Sequence, residues 1–442
     1  MTTGSDTKLN ARSNVTLPKP LGKRSRFLQQ GANPSRLIEA AAENHLSHFT
    51  VKASEVHRES GATWLASPNE ITIAFPHLTS ATADAALNAI VAECFRREPA
   101  RVGCWSVTPT RPYDLGVRLA ARGFEWGWKP HWMALNLQTL SEGFSTPAGL
   151  TIAVDNEGVW DVDDLPYYSR PANKPLPAGS SPEQRRTWRF GAWLDGKIVG
   201  QIVLHVTTGA LGVAGIYNVG VVPAARRQGI GRAITAAACR FAKALGCHYA
   251  LLNSATDIYD RIGFVSLGHG QSWWMNAATL AAPPPTSEQI VFAEAIGRGS
   301  SSALNALEPA AIPNDLDAPL PNGMTPLALA IHSLKPARSA EWLIARGATM
   351  DILQAWDLGW RDKIPALLAK KPELVDRRTG NWGTTPLHEA AMRDDLELAK
   401  AILAYAPDLT IKDTGFNSTP LGWANHFQRI EIVRLIEAHS NQ

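Results

Sequence analysis

Between an apolar run and an alanine-rich run lies Gly220-Val-Val-Pro-Ala-Ala-Arg-Arg-Gln-Gly-Ile-Gly-Arg232, the stretch that most limits what this chain can fold into. Residues 215–222 are rich in β-branched and aromatic types and are closed by Pro223, which predicts a strand ending at Val222. Ile230, Ile234, Ala238, Phe241 and Leu245 then recur at helical spacing up to Gly246, a helix with a C-terminal stop. The helix begins inside the turn. Gly229 and Gly231 let the backbone approach a ligand closely, the first helical amides have no partner within the helix, and the dipole is positive at that end. Arg226, Arg227 and Arg232 add charge, so the turn is suited to an anion such as pyrophosphate.

Two familiar glycine-rich turns are excluded. A Walker A loop would continue into Gly-Lys-Ser/Thr, and no such residues follow Gly231. A dinucleotide fingerprint needs a third glycine at position 234, which is Ile. What remains, Arg226-x-x-Gly229-x-Gly231 after a Val-x-Pro, resembles the acetyl-CoA loop of the GNAT acyltransferase superfamily. The context agrees: a hairpin is signalled by Trp188–Leu194 and Ile198–Leu204 around Asp195-Gly196, and Tyr249–Asn253 reads as a strand followed by a short helix ending at Gly263-Phe264. The resemblance covers about residues 149–278. It implies an α/β (α+β GNAT) fold with a mixed central sheet, and acetyl-CoA as co-substrate held by Val221, Val222, Arg226, Arg227, Gln228, Gly229, Ile230, Gly231 and Arg232.

In that family the tyrosine at the position of Tyr259 protonates the departing thiolate, a role a phenol at hydrogen-bond distance can perform as general acid. Backbone amides near Val221 would hold the developing oxyanion. Many members carry a glutamate on the strand entering the loop, whereas this chain has Tyr217-Asn218 there. The amine proton must then leave by water or through another group. Asp161, Asp163, Asp164 and Glu183 are candidates by location and His269 by type.

With 442 residues, 45% of them hydrophobic and 19% charged, the chain is globular and long enough for about three domains. No apolar run reaches the length of a membrane span, and the N-terminus has no apolar segment like a signal peptide. Cys94, Cys104, Cys239 and Cys247 lack metal-type spacing, so no metal is implied, and buried free thiols in a cytoplasmic protein are expected. The net charge of +3 is more than supplied by Lys8, Arg12, Lys19, Lys23, Arg24 and Arg26. Residues 1–30 thus read as a disordered basic tail, with no nucleic-acid partner expected.

Residues 31–146 repeat the ending of the core. Leu115-Gly-Val-Arg-Leu119-Ala-Ala-Arg-Gly123-Phe124 parallels Ile258-Tyr259-Asp-Arg-Ile-Gly263-Phe264, and each precedes aromatic residues, Trp126 and Trp128 in one, Trp273 and Trp274 in the other. Leu119 stands where Tyr259 stands, and Pro109-Thr-Arg-Pro112 occupies the place expected of the glycine-rich loop. The reading is a duplicated fold, with a degenerate GNAT-like domain at 31–146 and a catalytic one at 149–278. An unrelated α+β domain is the alternative. Most of the 15 tryptophans should be core, although Trp160 could line a substrate pocket.

After a proline-rich linker at 279–286 the character changes. Thr325-Pro-Leu, Thr385-Pro-Leu-His-Glu-Ala-Ala391 and Thr419-Pro-Leu resemble the ankyrin signature, with the last two about one repeat period apart. Threonine caps a helix and proline takes its first position, where the missing amide costs nothing. About five units are expected over 287–442, an all-α solenoid, with a worn one around Ile364–Leu374, and His388 as a structural hydrogen-bonding residue. Two function classes follow. One is an N-acetyltransferase acting on an amine, of a small molecule rather than a protein; the other is an ankyrin-based protein-binding scaffold whose GNAT domain binds CoA without catalysis.

Overall fold

The computed structural model describes residues 33–440 except 52, 60, 142–145, 161, 163, 167–168, 170–175, 177–184, 209–210, 255–256 and 380–381. The basic tail expected at 1–30 lies outside these residues, as do Asp161, Asp163 and Glu183. The chain divides into two compact units, one of Met1–Leu119 and Phe124–Pro284, the other of Ala120–Gly123 and Pro285–Gln442.

The first unit runs α1 (Pro34–Thr50), β1 (Glu55–Glu59), β2 (Ala62–Ser67), β3 (Glu70–Ala74), α2 (Ala83–Arg97), β4 (Arg101–Val107), α3 (Leu115–Ala121), β5 (Glu125–Trp126) and β6 (His131–Asn136). It continues with β7 (Leu150–Val154), β8 (Thr187–Leu194), β9 (Lys197–Val206), β10 (Val213–Val221), α4 (Ile230–Ala244), β11 (Tyr249–Ser254), a 3₁₀ turn (Asp257–Ile262), β12 (Val265–Asn276) and α5 (Ala277–Ala281). The signalled hairpin is β8–β9, with Asp195 and Gly196 both at positive φ, as a tight two-residue turn requires.

All twelve strands belong to one sheet in the order β1-β2-β3-β4-β12-β6-β11-β10-β9-β8-β7, with β5 also on β12. This sheet is continuous across residue 149, and the strands near its middle are exchanged. Each half contains a parallel pair crossed over by a helix, β3 and β4 with α2, β10 and β11 with α4. Beside β11 lies β6, which comes from the first half. Beside β4 lies the end of β12, which comes from the second. β12 serves both: Val265–His269 pair with β6, with a bulge between Ser266 and Gly268, the latter at φ 105, and Gly270–Asn276 pair with β4.

The core follows the two faces. Under α4, Ile230, Ala233, Ile234, Ala237, Ala238 and Phe241 pack on Ile202, Leu204, Ile216 and Leu252, the small residues letting the helix lie close to the sheet. On the other face α1 covers Val213, Tyr249, Leu251 and Trp132. A separate cluster lies under α2, built from Ile71, Ile73, Leu87, Val102 and Leu119.

The second unit is helical. It holds α6 (Ser287–Arg298), α7 (Ser301–Asn305), α8 (Pro326–Ile331), α9 (Pro336–Ile344), α10 (Ile352–Asp357), α11 (Ile364–Lys370), α12 (Pro386–Arg393), α13 (Leu396–Leu403), α14 (Pro420–His426) and α15 (Ile430–Ser440). Thr325, Thr385 and Thr419 stand at the N-caps of α8, α12 and α14, with proline in the first turn of each. His388 is fully buried; its Nδ1 lies 2.8 Å from Thr385 Oγ1 and its Nε2 2.9 Å from the Ser418 carbonyl, so it ties one helix start to the loop before the next.

Candidate active site

The site grows out of a pairing that stops early. β10 and β11 pair only at Val213–Tyr249, Ala214–Ala250 and Gly215–Leu251, although β10 continues to Val221 and β11 to Ser254. Beyond that point β10 bulges between Tyr217 and Gly220, with Asn218 at φ 53. The two strands part, and a cleft opens at their C-terminal ends, where parallel sheets crossed by helices offer ligands room.

The cleft has a volume of about 690 Å³. Its lining includes Val221, Arg226, Arg227, Gly229, Ile230, Gly231, Arg232 and Tyr259 from the sequence reading. Val222 and Gln228 are not part of that lining; the Val222 amide bonds to the Val199 carbonyl, and the Gln228 carboxamide reaches back to the Ala224 carbonyl. Pro166, Val219, Ala225, Ile258 and Arg261 line it as well and were not singled out from the sequence. Arg261 could have been found from its place two residues after Tyr259.

Local sequence explains the shape. Pro223–Ala225 form a 3₁₀ turn after the strand, Arg227 takes φ 62, and Gly229 caps α4 in the left-handed region at φ 81, a conformation that favours glycine. A Cβ on Gly231 would meet only Ile258 and Val221 at ordinary contact distances, so packing within the chain does not demand glycine there. α4 has no acidic residue in its first turn, and Arg226, Arg227, Arg232 and Arg261 surround its start. Among the described residues lining the cleft there is no carboxylate. Helix amides, dipole and four guanidinium groups thus make a cationic floor suited to phosphates.

Tyr259 is half-buried on the 3₁₀ turn, its ring edge-on to Phe264 with centroids 5.9 Å apart. The chain then turns at Gly263, φ 105, and the Phe264 amide returns to the Tyr259 carbonyl at 3.2 Å. In the first half the Phe124 amide returns to the Leu119 carbonyl at 3.1 Å, with Gly123 at φ 98. Leu119 is therefore the positional counterpart of Tyr259, and it is fully buried. The expectation for Pro109–Pro112 is corrected, because the strand-to-helix loop of the first half is 75–82, between β3 and α2, while residues 109–112 follow β4.

The other candidates are placed elsewhere. Asp164 and His269 are exposed and do not line the cleft, and the His269 ring stacks on His131 at 4.6 Å. Trp160 is buried and does not line this cleft: it lies under the Arg189 guanidinium at 3.9 Å and donates to Asp155 at 2.6 Å. Ser169 closes the bulged side, donating to the Asn218 carbonyl at 3.1 Å. All four cysteines are free and buried, and burial pushes the Cys94, Cys239 and Cys247 thiols up to about 12. Among the described residues no helix is long and apolar enough to cross a membrane, and no His/Cys/Asp/Glu cluster could hold a metal ion.

Comparison with known proteins gives two family matches. Residues 156–264 match the acetyltransferase (GNAT) family, and residues 382–414 match the ankyrin repeat. No curated protein matches the chain. Among solved structures, a GCN5-related N-acetyltransferase from Kribbella flavida is 20% identical, over 56% of this chain and 96% of that one, with a TM-score of 0.41. One from Sphaerobacter thermophilus is 16% identical over 59% and 97%, at 0.36. A tandem GNAT protein from the clavulanic acid biosynthesis pathway is 15% identical over 50% and 81%, also at 0.36.

Proposed function

From a GNAT domain at 156–264 and an ankyrin repeat at 382–414, we propose that this chain transfers an acetyl group from acetyl-CoA to an amine, on a small molecule rather than a protein. The observation that carries the reading is the cationic cleft at the parting of β10 and β11. The pyrophosphate of the cofactor sits at the start of α4 against Arg226, Arg227, Arg232 and Arg261, and its thioester reaches toward Tyr259. The amine attacks the carbonyl carbon, the carbon–sulfur bond breaks, and Tyr259 gives its phenolic proton to the thiolate. Residues 31–146 are read as the second copy of a duplicated fold that has lost its chemistry, a reading supported by the matching Gly-Phe turns and the reciprocal strand exchange. The ankyrin repeats offer a surface for a protein partner.

Acetyl-CoA at a hundred times its dissociation constant should stabilise the full chain by about 2.7 kcal/mol, read as a rise in Tm. Absence of any shift would remove the reading. A search of cell extract for acetylated products would then name the acceptor. The absence of a carboxylate among the described cleft residues favours one rival, a CoA-binding scaffold, which predicts the same shift with no product.

A further inference from the structure

The buried stripe of α1 changes character along its length. Leu37, Ala40 and Ala41 are followed at the same helical spacing by Asn44, His45 and His48, and all six are buried. Polar residues on a buried helix face break the usual pattern, and such departures gather at functional sites. Here they gather where β10 and β11 part.

The last pair of those strands is Gly215–Leu251. Two residues further, Tyr217 and Asn253 continue the same faces of their strands. His45 meets both. Its ring centre is 5.0 Å from that of Tyr217, and its Nδ1 is 3.4 Å from the Asn253 carboxamide nitrogen. Asn44 holds this arrangement: its Nδ2 donates to the carbonyls of His205 at 3.1 Å and Val213 at 3.3 Å, and its Oδ1 accepts the Tyr217 hydroxyl at 2.5 Å. Gly215 makes room, since a Cβ there would stand 1.9 Å from Asn44 Oδ1. His48 stacks flat on Tyr217 at 4.1 Å.

The two sides of the sheet differ in what they bring to this parting. Tyr259 packs against the α4-side cluster that includes Ile216 and Leu252, whereas Leu251 and Val213 belong to the cluster under α1. A cofactor anchored at the start of α4 enters from the α4 side, and its own arm fills that approach. That leaves the α1 side, where His45 is buried outside the cleft lining, for the acceptor amine to approach. We propose that His45, supplied by the first helix, is the base that takes the proton of the acceptor amine, the role that Tyr217-Asn218 on β10 cannot fill. This rests on the acetyl-transfer reading above.

The protons balance. The ammonium form of the acceptor gives a proton to His45, and the freed lone pair forms the carbon–nitrogen bond. The carbon–sulfur bond breaks, and the thiolate takes the Tyr259 proton. The phenolate recovers a proton from the nitrogen through solvent, and His45 releases its own to solvent. His45 is ringed by Phe49, Phe75, Trp105 and Trp132, with ring centres 4.4, 5.7, 5.3 and 5.6 Å away, so its surroundings are apolar and aromatic. Among the rings around His45, Tyr217 alone is titratable; His48 and, beyond it, His205 on β9 are the next groups.

The test compares the wild-type full chain with His45→Gln and His45→Ala, following CoA release from acetyl-CoA with two acceptors. Phenethylamine is protonated at neutral pH and 4-methylaniline is not. Loss of a general base should slow the phenethylamine reaction by about 10²–10⁴-fold in both variants. The 4-methylaniline rate should stay within about threefold, because that amine arrives neutral. Added imidazole should restore part of the phenethylamine rate in His45→Ala. Equal losses with both amines, or no loss with phenethylamine, would overturn the role of His45. The acetyl-CoA-induced rise in Tm is read on all three proteins: its absence in the wild type sinks the acetyl-transfer reading itself, and its retention in the variants confines any loss to the chemistry.

Discussion

In the first half, parallel pairing runs unbroken from Glu70–Arg101 to Ala74–Trp105 and is prolonged by the Phe75 amide bonding to the Trp105 carbonyl. In the second half it ends after three pairs, and the strands separate. The helices that cross over differ in the same sense. α2 carries its own carboxylate, Asp84, in the first turn, paired with Arg118 at 2.6 Å, and Thr79 and Thr82 exchange hydrogen bonds at its start. α4 starts on glycine, has no first-turn carboxylate and is surrounded by arginines. One half places a carboxylate of its own beside its helix start; the other has none there and leaves that end positively charged, suited to an anion. The same crossover thus differs between the halves in two respects, the opening of the strands and the charge at the helix start.

The largest effect expected from breaking this contrast is at the caps. Gly229→Val forces a β-branched residue into the left-handed region and should abolish the acetyl-CoA shift in Tm. The matched Thr82→Val should leave that shift intact while costing about 1 kcal/mol of stability, through the hydrogen bonds its hydroxyl makes with Thr79. The counterpart pair comes next. Tyr259→Phe should slow turnover by about 10²-fold or more with acetyl-CoA affinity nearly unchanged, and equal loss in both would show a packing residue instead. Leu119→Tyr should add no activity and should destabilise by about 1–3 kcal/mol, since it overfills a closed core.

An effect on stability alone lies at the seam under α1. His205 is buried between Thr187 and Ser47, and burial, with Arg186 nearby, lowers its pKa to about 4. Its folded value lies below the unfolded value, so the folded state favours the neutral ring. Stability is full above about pH 6.5 and falls as pH drops toward 4, by up to about 3 kcal/mol. Denaturant melts across that range should show the loss, and His205→Gln should flatten the curve. Unchanged slopes would mean that the ring is charged or exposed in the folded chain.

Much of the second half was legible because its signals are local. A Gly-x-Gly turn, an Asp195-Gly196 hairpin and a Gly263-Phe264 ending each specify their own backbone. The counterpart of the loop in the first half was misplaced because residues 75–82 contain no glycine to mark it. The exchanged strands were hidden for a different reason: alternation in residues 131–136 reports burial and does not name a partner strand. His45 was hidden too. Asn44 and His48 share its helix face, but that face meets Tyr217 and Asn253 only when α1 crosses the sheet, which no local pattern specifies.

The placement of β12 bears on how the chain is made. On a ribosome, β4 emerges early, but the strand that pairs with its outer edge is the last of the sheet to appear. β6 also emerges early, and both of its neighbours, β11 and β12, are synthesised more than a hundred residues later. Neither half can finish its sheet while the other is unmade. The nascent chain should therefore stay open to proteases until about residue 276 has left the exit tunnel, and then close in a single cooperative event.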